Sequence, residues 1–408
     1  MLSKSLIDKL HYFSFGLVIF TIPFPMLLNN IAIFIFIFFS LLNIRRVTLN
    51  QNFINYFFFI LFLLSVFSLT YTCNLESGLK MIEKTLSFII FFLFVPTLNI
   101  SNEQINKILN LFVYGCLIVL FFFLATASYN FWSTGSLYIF NPENLVNENY
   151  FFYHRFTKPF DIHAVYFGMY LVFSSCILLY NFKDQRKKIK IIRGLILILF
   201  AVGIYLLQSF AVLSVYFIVL LFFLTTLSRR KINFKKLGVL LIIILMPATI
   251  FYQKAKVFDG EVFNYSIEED VHSRNWNSLN IRLAKWECAL EVFKENNILI
   301  GSGVGCTQDK LDEMYQKKNF TIGINKRFNT HNQYLHYLVT LGILGVLAYL
   351  IFLIAGLYKS LTTNDFLLFA IIAMITICSV TENIFGLNKG IVFFTSIYYL
   401  ILLRYEKE

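Results

Sequence analysis

His331 stands where a long polar stretch gives way to an apolar run, within Asn329-Thr-His-Asn-Gln-Tyr-Leu-His-Tyr-Leu-Val-Thr-Leu-Gly-Ile-Leu-Gly345. Thr330 followed three places later by Gln333 has the form of a capping box, which predicts a helix beginning here with His331 in its first turn. Such a helix start presents backbone N–H groups and the positive end of its dipole, a place for an anion. The same dipole disfavours an imidazolium, so His331 is expected to stay neutral and able to accept a proton. Asn332 and Tyr334 flank it. The plainer alternative makes His331 and Asn332 polar cap residues at an interface.

Cations accompany this base. Arg282 opens Ile281-Arg-Leu-Ala-Lys-Trp-Glu-Cys-Ala-Leu-Glu-Val-Phe293, where three- and four-residue spacing puts Leu283, Trp286, Leu290 and Val292/Phe293 on one face of an amphipathic helix. An arginine at a helix start is electrostatically unfavourable for the helix and better explained by an anionic partner. Arg274 precedes it, and Arg155, Lys158 and His163 cluster in Tyr153-His-Arg-Phe-Thr-Lys-Pro-Phe-Asp-Ile-His163. Snorkelling of these cations to lipid headgroups is the alternative to an anion site. Glu382 and Lys389 bracket a short apolar-flanked loop, either as site residues or as partners of each other. Several cations and one neutral base suit a lipid-linked pyrophosphate sugar. Arginine pairs with phosphate oxygens and stabilises charge on a leaving diphosphate, while histidine takes a hydroxyl proton. Trp286 and Tyr334 offer flat surfaces to sugars or a prenyl chain.

The elements that must position these residues are membrane helices. With 58% hydrophobic and 18% aromatic residues over 408 positions, the chain is too apolar for a soluble protein. Apolar runs predict an all-α membrane protein, a bundle of about twelve transmembrane helices near 12–28, 31–44, 53–71, 84–99, 108–128, 161–180, 192–207, 209–227, 237–252, 333–358, 365–381 and 389–404. With a cytoplasmic N-terminus, inside segments hold 19 cations and the short outside loops five, namely Lys80, Lys84, Arg155, Lys158 and Lys389. That asymmetry follows the positive-inside rule and puts both termini in the cytoplasm. The formal net charge of +12 is thus a topology signal and excludes neither lipid nor glycan partners, but gives no basis for nucleic-acid binding.

The organisation expected is a bundle over 1–252 with an external loop at 129–160, a periplasmic segment containing amphipathic helices over 253–332, and three more helices over 333–408. Asn296-Asn-Ile-Leu-Ile-Gly-Ser-Gly-Val-Gly305 lacks the preceding strand and the spacing of a nucleotide-binding loop, so its glycines are read as a turn of close backbone approach. The stretch 307–327 shows no clear period and reads as a flap. Gly342, Gly345 and Ala348 form a small-residue face suited to another helix. Cys116, Cys176 and Cys378 fall in apolar helices, while Cys288 and Cys306 are the pair an oxidising compartment would join. No Cys/His spacing resembles a metal site, and neither metal, cofactor nor nucleotide is expected.

Thr330-His-Asn-Gln-Tyr-Leu with Leu341-Gly-Ile-Leu-Gly345, the Arg282-x-x-x-Trp286 helix with Ile300-Gly-Ser-Gly303, and Thr381-Glu-Asn383 together resemble the bacterial O-antigen ligase and O-antigen polymerase superfamily. The resemblance implies an inner-membrane enzyme with a periplasmic active site, moving an oligosaccharide or polysaccharide from an undecaprenyl diphosphate carrier to an acceptor hydroxyl on a glycan or lipid A core. It implies His331 as base and Arg282 as diphosphate ligand. One departure stands out: where ligase-like members often carry Ser-Arg, this chain has Ser209-Phe210. Arg155, Arg274 or Lys158 could supply that charge, or the activity belongs to the polymerase branch. A transporter or flippase for a lipid-linked glycan is the rival from another class; the lack of an internal repeat and the lopsided external segment count against it.

Overall fold

Long runs of Phe, Leu and Ile leave backbone polar groups no partner in lipid except each other, and helices are the result. The computed structural model describes residues 4–43, 53–141, 146–181, 186–228, 267, 276 and 278–405. The predicted helix at 237–252 and Arg274 lie outside them.

In chain order the helices are α1 (Lys4–Thr21), α2 (Met26–Leu42), α3 (Phe57–Phe67), α4 (Leu75–Phe94), α5 (Asn102–Thr134), α6 (Tyr153–Thr157), α7 (Ala164–Tyr180), α8 (Lys187–Leu206), α9 (Phe210–Ser228), α10 (Ser278–Glu295), α11 (Thr307–Lys317), α12 (Thr321–Lys326), α13 (Gln333–Thr362), α14 (Phe366–Thr381) and α15 (Asn388–Leu402). The one sheet among the described residues is a hairpin of β1 (Tyr138–Asn141) and β2 (Val146–Asn149), with Tyr138 opposite Asn149. Helices α5, α8 and α13 are long and apolar enough to cross a membrane alone, and α6 with the 3-10 turn after it forms a bent pair with α7 at 85°. Five further apolar helices are shorter. The chain is therefore all-α in the manner of a membrane protein, though the expected total of twelve crossings is not established by helix length.

Two expectations about the segments between the helices are revised. Helix α5 does not stop at 128 but runs 33 residues to Thr134, capped by Gly135 at φ 65°, so the external loop is shorter than 129–160. At about 1.5 Å per residue it is roughly 50 Å long, more than a hydrocarbon core of about 30 Å requires. The stretch 307–327 is not a structureless flap: α11 and α12 occupy most of it, with Leu311, Met314 and Tyr315 buried against α10.

The segment between α9 and α13 thus has its own small core. Ala284, Cys288, Ala289 and Val292 are its α10 contribution, while Leu290 is exposed. The buried face is turned from the predicted one because alanines and a cysteine let α11 approach closely, which larger residues do not. Cys288 is consequently a free, buried thiol. The disulfide joins Cys73, in the turn after α3, to Cys306, with Cα atoms 5.4 Å apart; the Cys288–Cys306 pairing is corrected accordingly.

A break in α13 docks this segment to the bundle. Gly342 has φ 63° and ψ −158° inside the helix. The backbone it disrupts bonds instead to the glycine-rich turn that follows α10: Ser302 N–H donates to Val339 O at 2.8 Å, Gly303 N–H to Thr340 O at 2.9 Å, and Ile343 N–H to Ile298 O at 2.9 Å. A Cβ on Gly342 would lie 2.4 Å from Leu299 C, and one on Gly301 2.6 Å from Gly342 N. The close backbone approach expected of Gly301 is therefore present, but the partner of Gly342 is this loop and not another helix.

Candidate functional site

Three chain segments meet at the carboxylate of Glu382. Helix α14 ends at Thr381, and its C-cap residue Glu382 is extended, which carries its side chain toward the external segment. Arg282 Nη2 lies 3.5 Å from Glu382 Oε1, and His331 Nδ1 lies 3.4 Å from Glu382 Oε2. The carboxylate is 6% exposed, the imidazole 28% and the guanidinium 25%. A buried anion is thus held between two groups that still reach solvent, which is the arrangement a substrate needs. Burial raises the Glu382 carboxyl, but the hydrogen bond from His331, with His163 and Arg282 nearby, outweighs it and holds the group below its ordinary value.

The local chain geometry explains why His331 faces this point. The helix does not begin with a Thr330/Gln333 capping box. Asn332 is the N-cap, accepting from Leu335 N–H at 3.0 Å, and the Thr330 hydroxyl donates to Asn332 O at 3.0 Å. His331 precedes the helix, at φ 43°, and its N–H donates to Asn329 Oδ1 at 2.9 Å. This tight turn swings the imidazole away from the helix axis and toward Glu382. Gln333 then accepts from Phe385 N–H at 2.9 Å, fixing the start of α13 to the loop that carries Glu382.

A second shelf is formed by α6 and the start of α7. The rings of His154 and His163 are 4.3 Å apart, and His163 sits 5.9 Å from Tyr166. Tyr166 donates to Asn383 O at 3.1 Å, which ties this shelf to the Glu382 loop. Arg155 lies 5.5 Å from the Tyr150 ring, and Lys158 is exposed on the following 3-10 turn.

Other predicted residues are directed elsewhere. Lys389 does not pair with Glu382; its ammonium donates to the carbonyls of Ile22, at 3.4 Å, and Phe24 in the α1–α2 turn. Tyr334 donates to Thr376 O at 2.9 Å and its ring lies 5.2 Å from that of Tyr349, inside the bundle. Trp286 is half-buried with its indole N–H enclosed and without a hydrogen-bond partner among the described residues.

Lys285 and His154 were not singled out by sequence. Lys285 is 3% exposed, its ammonium 4.4 Å from the centroid of the Phe328 ring, three residues along α10 from Arg282. Burial, then Arg282, pushes it down to about 7, with Glu382 opposing. Its signal in the sequence was a lysine on the face that the alanines mark as buried. For His154 the signal was a second histidine across the Pro159 turn from His163.

No group of three or more His, Cys, Asp or Glu residues placed to hold a metal occurs among the described residues. The arrangement instead offers an imidazole with one nitrogen engaged by a carboxylate, a guanidinium beside it and partial exposure of both. Such a set can receive a proton and balance negative charge. The O-antigen ligase family model matches residues 195–350, a span that contains Arg282 and His331 and ends before Glu382. A search of curated proteins finds no match to the chain.

Proposed function

We propose, for a chain whose residues 195–350 match the O-antigen ligase family model, that it transfers an oligosaccharide or polysaccharide from an undecaprenyl diphosphate carrier to an acceptor hydroxyl at the periplasmic membrane face. Ligase- or polymerase-type membrane glycosyl transfer, with a lipid-linked donor and a glycan acceptor, is what the family supports in general. The observation that carries the finer reading is the convergence of His331 and Arg282 on the two oxygens of Glu382.

In this reading Glu382 accepts from His331 Nδ1–H, so Nε2 keeps its lone pair and points it at the acceptor. The acceptor oxygen attacks the anomeric carbon as Nε2 takes its proton. The bond from that carbon to the diphosphate oxygen breaks, and the electron pair leaves with the diphosphate. Arg282 meets the charge that grows there. Neither a metal ion nor a nucleotide is required, because the diphosphate already is a competent leaving group.

Replacing His331 or Arg282 by Ala in a strain lacking the native gene tests this. The expected result is loss of transfer with carrier-linked glycan accumulating on the outer leaflet. Accumulation on the inner leaflet would instead make the protein a flippase. Chain length separates the two enzyme readings: long unattached glycans mark a lost ligase, single attached repeat units a lost polymerase.

A further inference from the structure

The turn that carries His331 is held along its backbone by α11. Phe328 O accepts from the Tyr315 hydroxyl at 2.9 Å and from Gln308 Nε2 at 3.2 Å, and the Arg327 guanidinium pairs with Asp312 at 2.8 Å. Arg327 and His331 stand at φ 45° and 43°, a region that side-chain-bearing residues keep only where their neighbours hold them there. These contacts set the path of the chain and leave the side-chain torsions of His331 open. Glu382 meets Nδ1 at 3.4 Å, a long contact that constrains the ring only weakly. A second contact comes from Phe328, whose ring lies 6.5 Å from the imidazole with the planes at 85°, an edge-to-face pair.

Phe328 is held in its turn by Lys285. The ammonium sits 4.4 Å from the centroid of the ring, within the range of a cation–π contact. At 3% exposure Lys285 does not reach a substrate. Glu382, the carboxylate that pulls on it, is already engaged by Arg282 and His331. An ammonium enclosed without a carboxylate of its own costs free energy that a methionine of similar length does not. What it supplies and methionine lacks is a charge over the face of Phe328. Arg282 lies three residues earlier on α10, so one face of that helix carries both the guanidinium at Glu382 and the lysine behind the base.

We propose that Lys285 is a positioning residue, whose ammonium fixes the Phe328 ring and through it the direction of the His331 imidazole. The proposal rests on the reading of His331 as the base and adds to it the side chains that aim it. Glu382 holds one edge of the imidazole and Phe328 braces the ring from the side, which together keep Nε2 on the acceptor. Without the charge the phenyl ring is free to turn, and the base turns with it.

The test measures transfer by the full-length reconstituted protein from a defined undecaprenyl-diphosphate-linked glycan, at about pH 6, where Lys285, pushed down to about 7 by burial, still carries its charge. Rates are taken per folded protein, with unfolding curves setting the folded fraction. Lys285→Met and Phe328→Leu are each expected to lower kcat about tenfold with KM unchanged, and the double variant to do no worse than either, because both break one chain of contacts. Lys285→Arg keeps a cation over the ring and is expected to come within about threefold of wild type. Diethyl pyrocarbonate, read at His331 by peptide mass spectrometry, is expected to modify the imidazole several times faster in Lys285→Met and Phe328→Leu. The assignment is overturned if Phe328→Leu transfers at the wild-type rate, if the double variant loses about a hundredfold as two independent contacts do, if Lys285→Arg is as slow as Lys285→Met, or if His331 is modified at one rate throughout. His331→Ala keeps the two readings apart: transfer at the wild-type rate removes the base assignment, and the modification rates then decide alone whether Lys285 and Phe328 hold the ring.

Discussion

A single carboxylate draws the proposed site together. Glu382 accepts from Arg282 with one oxygen and from His331 with the other, so the isosteric Gln, which has one acceptor oxygen, leaves one of the two partners without its acceptor. Glu382→Gln is expected to lower turnover about a hundredfold, within the range of general-base contributions, with the protein still folded; near-normal turnover in a reconstituted assay would remove Glu382 from the mechanism. Its carboxyl lies below the ordinary value, so the stability this carboxylate adds is present above that value and is lost as pH falls through the depressed one. Lys285 gives the opposite test. Because it sits near 7 against an ordinary 10.5, the unfolded chain binds more protons between those values, and stability rises with pH across that window. Lys285→Met is expected to flatten the rise in unfolding temperature between about pH 7 and 9, and parallel curves for the two proteins would contradict it. His331 and Arg282 stood out in the sequence as a base and a cation at polar–apolar boundaries, and the fold brings both to Glu382. Lys285 did not, since spacing alone does not tell a buried lysine from a solvated one.

Between residues and fold, the decisive element is the broken helix α13. Its hydrophobic run was easy to read, but Gly342 as a break was not: a glycine in an apolar helix fits tight helix packing equally well, and only its φ of 63° and the loop at Leu299 distinguish the two. Gly342→Ala would place a Cβ 2.4 Å from backbone and strain φ as well. A loss of roughly 3 kcal/mol is expected, measured as a large drop in unfolding temperature together with loss of transfer, because the same docking holds α10 and Arg282 over Glu382. Unchanged stability would show that the loop does not bear on α13 in this way. Helix α11 was missed for a different reason. Leu311, Met314 and Tyr315 do recur at helical spacing, but three residues in a charged eleven-residue stretch fall below what periodicity separates from chance.

On the scale of the whole molecule, the α13 break and the Cys73–Cys306 disulfide, across 233 residues, fasten the segment between α9 and α13 to the bundle. Near the disulfide, Gly305 N–H donates to Thr72 Oγ1 at 2.9 Å, and Tyr71 donates to Ile300 O at 2.7 Å, so the turn after α3 is part of the same clamp. Sequence separation hid this pairing, because Cys288 and Cys306 share a segment and Cys73 does not. Thiol labelling of the unfolded, unreduced protein is expected to modify four of the six cysteines, and modification of all six would show the clamp to be open. The hydropathy pattern made the all-α membrane character legible, whereas contacts between distant segments, Glu382 with Arg282 among them, exist only once the chain is folded. The most direct measurement is transfer by purified, reconstituted protein from a defined undecaprenyl-diphosphate-linked glycan, comparing wild type with His331→Ala. Transfer reduced by about a hundredfold or more, with folding and donor binding unchanged, is the expected result; transfer at the wild-type rate would contradict the assignment of His331 as the base.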